Sequence, residues 1–148
     1  MRRLVILALL LTGCSAIPAV PAASPIPEPV VLLVKAETRG GLCLAGTTCE
    51  SSITVMSDGT WAHVVNDAER TGTLPDGRVA ALTDAVKRTG LAAAPPFTGT
   101  CPIAYDGQEQ VLTWLQDGKP VTVASCEQEY DPSDPLVIAA AELAAELA

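Results

Sequence analysis

Carboxylates cluster late in the chain, and they are the first group of residues that could do chemistry. They stand on either side of a predicted pair of strands, as Asp106, Glu109, Glu127, Glu129 and Asp131. Carboxylate oxygens can bind Ca²⁺, but these spacings do not match a calcium-binding loop. Asp131 and the nearby Asp134 also stand where caps of a helix are expected. Paired carboxylates can hydrolyse glycosides in a cleft that is usually aromatic-lined, and the chain has only 2 Trp, 2 Tyr and 1 Phe. The pattern therefore predicts a solvated acidic rim, available for binding, and no metal site.

His63 is the only histidine of the chain. A nucleophile–base pair would need a serine or cysteine beside its ring and an acid that orients it. The chain contains no G-x-S-x-G motif, and the predicted hairpin places His63 on an outer sheet face next to Trp61. The sequence therefore predicts a surface histidine and a protein that is not an enzyme.

Cys14 follows a segment with the order of an export signal. Arg2 and Arg3 supply positive charge, and residues 4–11 form an apolar run far shorter than the roughly 20 residues that span a bilayer. The stretch LTGC at 11–14 resembles the bacterial lipobox. The resemblance implies cleavage before Cys14, a diacylglyceryl group on its thiol and often a further acyl chain such as palmitate. This predicts a lipoprotein on the outer face of the cell membrane with no other cofactor. Ordinary secretion, with cleavage further along, is the alternative.

Three segments follow from this interpretation. Residues 1–13 are the predicted signal peptide, 14–29 a lipid-anchored tether and 30–148 a single domain. The tether is rich in proline, which fixes φ and lacks an N–H, so an extended spacer of ~45 Å is expected. The 119 residues that remain are enough for one domain with a real core.

The other four cysteines are even in number, as expected of an exported domain with two disulfides. Three connectivities are possible. We favour Cys43–Cys49 and Cys101–Cys126, because these pairs follow chain order and close local loops. A four-cysteine zinc site is the rival interpretation, but the spacings lack the C-x2-C pairs that usually bind zinc.

The charge of the chain limits its partners. Cleavage before Cys14 would leave 7 basic against 17 acidic residues, a formal charge of −10. A field of that sign repels phosphate backbones and anionic headgroups. We therefore expect no nucleic-acid partner, a membrane contact supplied by the lipid, and a possible protein partner in the cell envelope.

Two Asp-Gly dipeptides between strand-like runs predict two β-hairpins. Around residues 58–59, pairing outward from a two-residue turn predicts the pairs Val55–Ala62 and Ile53–Val64. Around residues 117–118 it predicts Trp114–Val121 and Leu112–Val123. The apolar run 30–37 predicts a further strand, buried on both sides.

A helical pattern follows each hairpin. Val79, Leu82 and Val86 lie on one face of a helix predicted over 76–89, with Gly90 as its C-cap. The second helix begins at Asp134-Pro135, and its apolar positions are Leu136, Ala140, Leu143 and Leu147. The predicted fold is α+β: an antiparallel sheet built from two hairpins and an N-terminal strand, two helices on one face, and two disulfides. A Cys101–Cys126 bond would strap residues 95–108 across the other face.

The spacing of cysteines, glycines and acids resembles that of known exported proteins. GGLC-x5-C, DGTW, GTCPIAYDGQE and SCEQEYDPSDPL resemble small exported proteins of high-GC Gram-positive bacteria whose function is uncharacterised, over about residues 40–136. That likeness brings no activity. Gly40-Gly41 and the helix at 79–91 are also similar to emfourin, an inhibitor of metallopeptidases, which implies inhibition, although the cysteines here depart from its pattern.

Three functions remain open at this point. The first is a non-catalytic, lipid-anchored binding or accessory domain. The second is an inhibitor of an extracellular peptidase that works through an exposed loop such as 95–108. The third is an enzyme that uses the acidic cluster.

Overall fold

The computed structural model describes residues 29–41 and 50–148. The elements, in chain order, are β1 (Leu32–Arg39), β2 (Ser51–Met56), β3 (Thr60–Val65), β4 (Ala68–Thr73), α1 (Asp76–Arg88), β5 (Glu109–Gln116), β6 (Lys119–Ala124) and α2 (Pro135–Leu147). Short 3-10 turns lie at Leu91–Ala93 and Pro102–Tyr105. The predicted signal peptide and nearly all of the tether lie outside the described residues.

The six strands form one antiparallel sheet in the order β4-β3-β2-β1-β5-β6. β1 is central and pairs with β2 on one side and with β5 on the other. Its register shifts between Leu32 and Val34, a bulge that brings both Leu33 and Val34 into the core. The α+β class and the antiparallel sheet are confirmed. Burial of β1 on both sides is wrong, because Lys35 and Glu37 form an ion pair on the open face.

The hairpin β5–β6 has the predicted register. Leu112 pairs with Val123 and Trp114 with Val121. Asp117 and Gly118 both have positive φ, 52° and 73°, as a two-residue turn of type I′ requires. Trp114 is 1% exposed, so this pairing supplies much of the core.

The hairpin β2–β3 differs from the prediction by one residue. Val55 pairs with Trp61 and Ile53 with His63, so the predicted partners Ala62 and Val64 are wrong. The loop has three residues, and Gly59 takes φ +84°. A shift of one position exchanges the two faces of a strand. Trp61 and His63 therefore lie on the helix-covered face.

β4 extends the sheet beyond the predicted hairpins. It follows a turn at Asn66 and Asp67, whose φ values of 48° and 62° are those of a type I′ turn. Its sequence, AERTGT, is mostly exposed and lacks an apolar alternation. The missing apolar face is the reason that the sequence did not predict this strand.

Both helices pack against one face of the sheet, as predicted. Leu82 and Ala85 of α1 are buried, and Leu136, Ala140 and Leu143 of α2 are buried with the sheet residues. Thr89 ends α1 in an extended conformation. The C-cap is therefore Thr89, and the prediction that Gly90 is the C-cap is wrong by one residue; Gly90 follows with φ −98°. No helix of the described residues is long and apolar enough to cross a membrane.

Cys101 and Cys126 form a disulfide, with their Cα atoms 5.0 Å apart. This confirms one predicted pair and excludes both cysteines from the alternative zinc site. Cys43 and Cys49 lie outside the described residues. The structure therefore shows one disulfide within the part of the chain that it describes.

Candidate functional site

Residues 95–108, which we call the strap, connect the helical layer to β5. The strap begins with backbone hydrogen bonds to the segment after β6. Phe97 N–H donates to Glu127 O at 2.9 Å, and Glu129 N–H donates to Pro95 O at 2.9 Å. Pro96 and Gln128 form an isolated antiparallel bridge between these bonds. The first third of the strap is therefore held like a short extra strand.

The middle of the strap is held by the disulfide at Cys101 and by a 3-10 turn that follows directly. Ala104 N–H donates to Cys101 O at 3.0 Å, and Gly107 N–H donates to Pro102 O at 2.8 Å. Asp106 ends the turn with a left-handed φ of 61°. A Cβ on Gly107 would lie 2.6 Å from Pro102 Cβ, so only glycine fits this close approach.

Two large side chains are exposed on this turn. Tyr105 is 77% exposed and Ile103 is 41% exposed. The strap lies beside the end of β1, since a Cβ on Gly40 would lie 2.9 Å from Ile103 Cγ1. A rigid turn thus presents an aromatic and an aliphatic side chain to solvent at one end of the sheet.

One apolar residue is buried on the sheet face opposite the helices. Val111 pairs with Glu37 and Ala124, so its side chain lies on that face, yet Val111 is 1% exposed and outside the main core cluster. The disulfide joins the strap to Cys126, two residues beyond Ala124, at the end of β6.

Tyr130 fixes the segment that faces the strap. Its hydroxyl lies 2.6 Å from Val123 O and 3.1 Å from Gln110 O, which links the segment to both strands of the second hairpin. Burial, with a smaller contribution from the nearby Glu109 carboxylate, raises the pKa of Tyr130 to about 12. The folded state therefore favours the neutral form of the Tyr130 hydroxyl.

The predicted acidic rim does not converge on one point. Asp106 ends the 3-10 turn, Glu109 begins β5, and Glu127 and Glu129 lie in the segment paired with the strap. Asp131 accepts hydrogen bonds from Ser133 N and Oγ at 2.8 and 2.7 Å, which lower the pKa of its carboxyl.

No ion pair within 4.0 Å joins these five carboxylates to a cation of the described chain. The described residues also contain no cluster of His, Cys, Asp or Glu that could hold a metal ion. The rim is thus an uncompensated negative border around the strap.

His63 lies inside the domain, and its predicted place on the outer face is wrong. It is 7% exposed because the register of β3 turns it toward α2. Its Nδ1 lies 3.0 Å from Arg70 Nη2 and 3.0 Å from Leu147 O, and Arg70 Nη2 also donates to Leu147 O. The partners of the only histidine are therefore a guanidinium and a backbone carbonyl. No serine, threonine or cysteine of the described residues is hydrogen-bonded to it.

No protein-family model and no curated protein sequence matches this chain. The functional argument therefore depends on the geometry of the strap and of the surface around it.

Proposed function

We propose that this protein is a non-catalytic binding module, anchored to a membrane by a lipid on Cys14, that holds a partner protein through the tip of its strap. One observation carries the proposal: Ile103 and Tyr105 are exposed on a turn that a disulfide and backbone hydrogen bonds hold in place. The contacts of His63 support a role without catalysis, because its Nδ1 meets a guanidinium and a backbone carbonyl and no serine or cysteine of the described residues is hydrogen-bonded to the ring.

The physical reasons concern burial and order. Tyrosine is enriched among the residues that dominate binding energy, because its ring buries a large area and its hydroxyl can donate a hydrogen bond. The turn is already fixed in the free protein, so binding would order little additional chain. A fixed, exposed aromatic side chain is thus suited to fill a pocket of a partner.

The remaining parts of the proposal come from the sequence. A lipid on Cys14 and the proline-rich tether would place the domain about 45 Å from the outer face of the membrane. The second disulfide, Cys43–Cys49, belongs to the same proposal, since an even number of cysteines is expected outside the cell. The partner is then a protein of the cell envelope.

Site-specific photocrosslinking in intact cells tests the proposal. A photoreactive phenylalanine analogue replaces Tyr105 in one variant and Ile138 in a matched control. Ile138 is also an exposed apolar residue, at 45%, but it lies on α2. We expect a discrete crosslinked protein from position 105 and none from position 138. Identical products from both positions, or none from 105, would contradict the proposal.

A peptidase inhibitor is the second candidate, because an exposed turn held by a disulfide and preceded by a strand bridge is also the form of a rigid inhibitory loop. The purified protein should then inhibit at least one enzyme in a broad panel of extracellular peptidases. Inhibition should fall with Tyr105→Ala and persist with Ile138→Ala. A panel without inhibition would leave only the binding module.

A further inference from the structure

The strongest unassigned feature is a cavity of about 470 Å³ between the last turn of α2 and strands β2–β4. It lies on the helix-covered side of the sheet, and Gln108, the last residue of the strap, contributes to its lining. Its apolar lining comes from Ile53, Val65 and Ala144, and its polar lining includes Glu50, His63 and Arg70. A cavity of this size, apolar with a few polar groups, is typical of small-molecule sites.

Arg70 is a positioned cation in this cavity. Its Nη2 donates to His63 Nδ1 and to Leu147 O, which fixes the guanidinium against the end of α2. A helix C-terminus favours a positive charge at this place. No described carboxylate lies within 4.0 Å of Arg70, so its other N–H groups are available to a ligand.

His63 supplies a second polar group. Its Nδ1 lies 3.0 Å from Arg70 Nη2 and 3.0 Å from Leu147 O, which leaves Nε2 as the ring nitrogen outside these two contacts. Nε2 has no hydrogen-bond partner among the described residues. His63 lines the cavity, so its ring is part of the wall that a ligand meets.

Glu50 places the opposite charge on the same lining. No ion pair within 4.0 Å joins Glu50 to Arg70 or to any other cation of the described chain. A ligand that is only an anion would meet the repulsion of Glu50, and one that is only a cation would meet that of Arg70. A ligand that carries both charges can pair its anionic group with Arg70 and its cationic group with Glu50.

We propose that this cavity binds a small zwitterion with an apolar body, of the class of branched apolar α-amino acids. Arg70 and His63 bind its carboxylate, and Glu50 binds its ammonium group. The apolar body packs on Ile53, Val65 and Ala144. This inference is independent of the partner proposed for the strap.

The test uses the full chain, purified in mild detergent, and four probes: L-leucine, 4-methylpentanoate, 3-methylbutylamine and glycine. The first probe carries both charges and the apolar body, and each of the others lacks one feature. The NMR signal of the His63 ring reports binding without ambiguity, because the chain has one histidine. We expect leucine to shift this signal saturably and to bind about tenfold or more tightly than the other three.

Three substitutions complete the test. Arg70→Gln and Glu50→Gln should each weaken leucine binding about tenfold. Glu69→Gln should leave it unchanged, since Glu69 neighbours Arg70 on β4 but faces the other side of the sheet. Glu50 is exposed and takes part in no hydrogen bond among the described residues, so Glu50→Gln should not disturb the fold. This variant therefore still tests the proposal if Arg70→Gln disturbs α2.

Three results would overturn the inference. The first is a His63 signal unmoved by leucine up to about 10 mM, the weakest affinity expected for a ligand of this size. The second is equal binding of 4-methylpentanoate and leucine. The third is a Glu50→Gln variant with unchanged affinity for leucine.

Discussion

A single hydroxyl, that of Tyr130, connects β5, β6 and the segment behind the strap. Tyr130→Phe removes it and leaves the carbonyls of Val123 and Gln110 without this donor. We expect a loss of about 1–2 kcal/mol in the free energy of unfolding at neutral pH. Urea unfolding followed by tryptophan fluorescence measures it. Tyr105→Phe is the control, because the exposed Tyr105 has no hydrogen bond of this kind, and an equal loss there would contradict the account.

The raised pKa of Tyr130 adds a dependence on pH. The folded protein favours the neutral hydroxyl up to about pH 12, whereas an unfolded tyrosine ionises near 10.0. The stabilisation is therefore complete below pH 10 and is lost as the pH rises toward 12. The difference in stability between the wild type and Tyr130→Phe should shrink over this interval. A difference that stays constant up to pH 12 would contradict the assignment.

Two glycines differ sharply in what a methyl group would meet. A Cβ on Gly107 would lie 2.6 Å from Pro102 Cβ and 2.8 Å from Pro102 O, whereas a Cβ on Gly77 would meet nothing within 4 Å. We expect Gly107→Ala to destabilise the domain by about 1–3 kcal/mol and to displace the 3-10 turn. Gly77→Ala, in the first turn of α1, should be neutral or stabilising by up to about 1 kcal/mol. Thermal unfolding measures the stability of both variants. Equal changes in stability would contradict the prediction, because they would show that the 3-10 turn can accommodate the added methyl group.

At the scale of elements, Asp134 joins the two helices. Its carboxylate caps α2 through Leu136 N at 2.8 Å and accepts from Thr89 Oγ1 and Gly90 N after α1. Asp134→Ala should therefore lower the free energy of unfolding by about 2–4 kcal/mol, which is more than the loss of an isolated helix cap. Asp131→Ala is the matched control. It removes only the side-chain hydrogen bonds of an exposed turn, so it should lower the free energy of unfolding by well under half as much. Urea midpoints of the two variants decide this.

The elements also show what the sequence could predict. The hairpin β5–β6 was predictable in register because its two-residue turn and its apolar pairs, such as Trp114–Val121, agree. The hairpin β2–β3 was not, because Asp58-Gly59 also fits a three-residue loop that includes Ser57. β3 carries apolar residues on both of its faces, so either register would place apolar side chains toward the core.

The ambiguous register of β3 also limited the prediction of the sites. The disulfide at Cys101 was predicted from the order and spacing of the cysteines, and the strap was predicted as an exposed loop. The cavity did not, because it needs the true register of β3 and the presence of β4. Arg70 stands on that polar strand and meets His63 only through cross-strand pairing. No local pattern in the sequence signals such a pair.

At the scale of the whole molecule, the Cys101–Cys126 bond is a constraint on the unfolded chain. Replacing both cysteines by alanine should lower the free energy of unfolding by about 3 kcal/mol, for a loop with a sequence separation of 25. Hydrogen exchange should accelerate first at the amides of the strap, such as Ala104 and Gly107. Unchanged protection there would mean that the backbone hydrogen bonds alone fix the turn.

The intact mass of the protein from the membrane fraction tests the proposed anchor. We expect loss of residues 1–13, a gain of lipid mass, and a further gain of four protons on reduction of two disulfides. Cys14→Ser should abolish the lipid gain and release the protein from the membrane. A soluble protein of unmodified mass would reject the lipoprotein proposal. A gain of two protons would reject the Cys43–Cys49 bond.

The central position of β1 has a consequence for how the chain acquires its fold. Val34 pairs with Trp114, 80 residues further along the chain, so half of the pairing of β1 is strongly non-local. Contacts of this separation slow folding, because a long loop must close before they stabilise anything. Until β5 arrives, one edge of β1 exposes unpaired backbone groups beside an apolar run. During synthesis from the amino terminus, this edge of β1 stays unpaired until residues 109–116 of β5 become available.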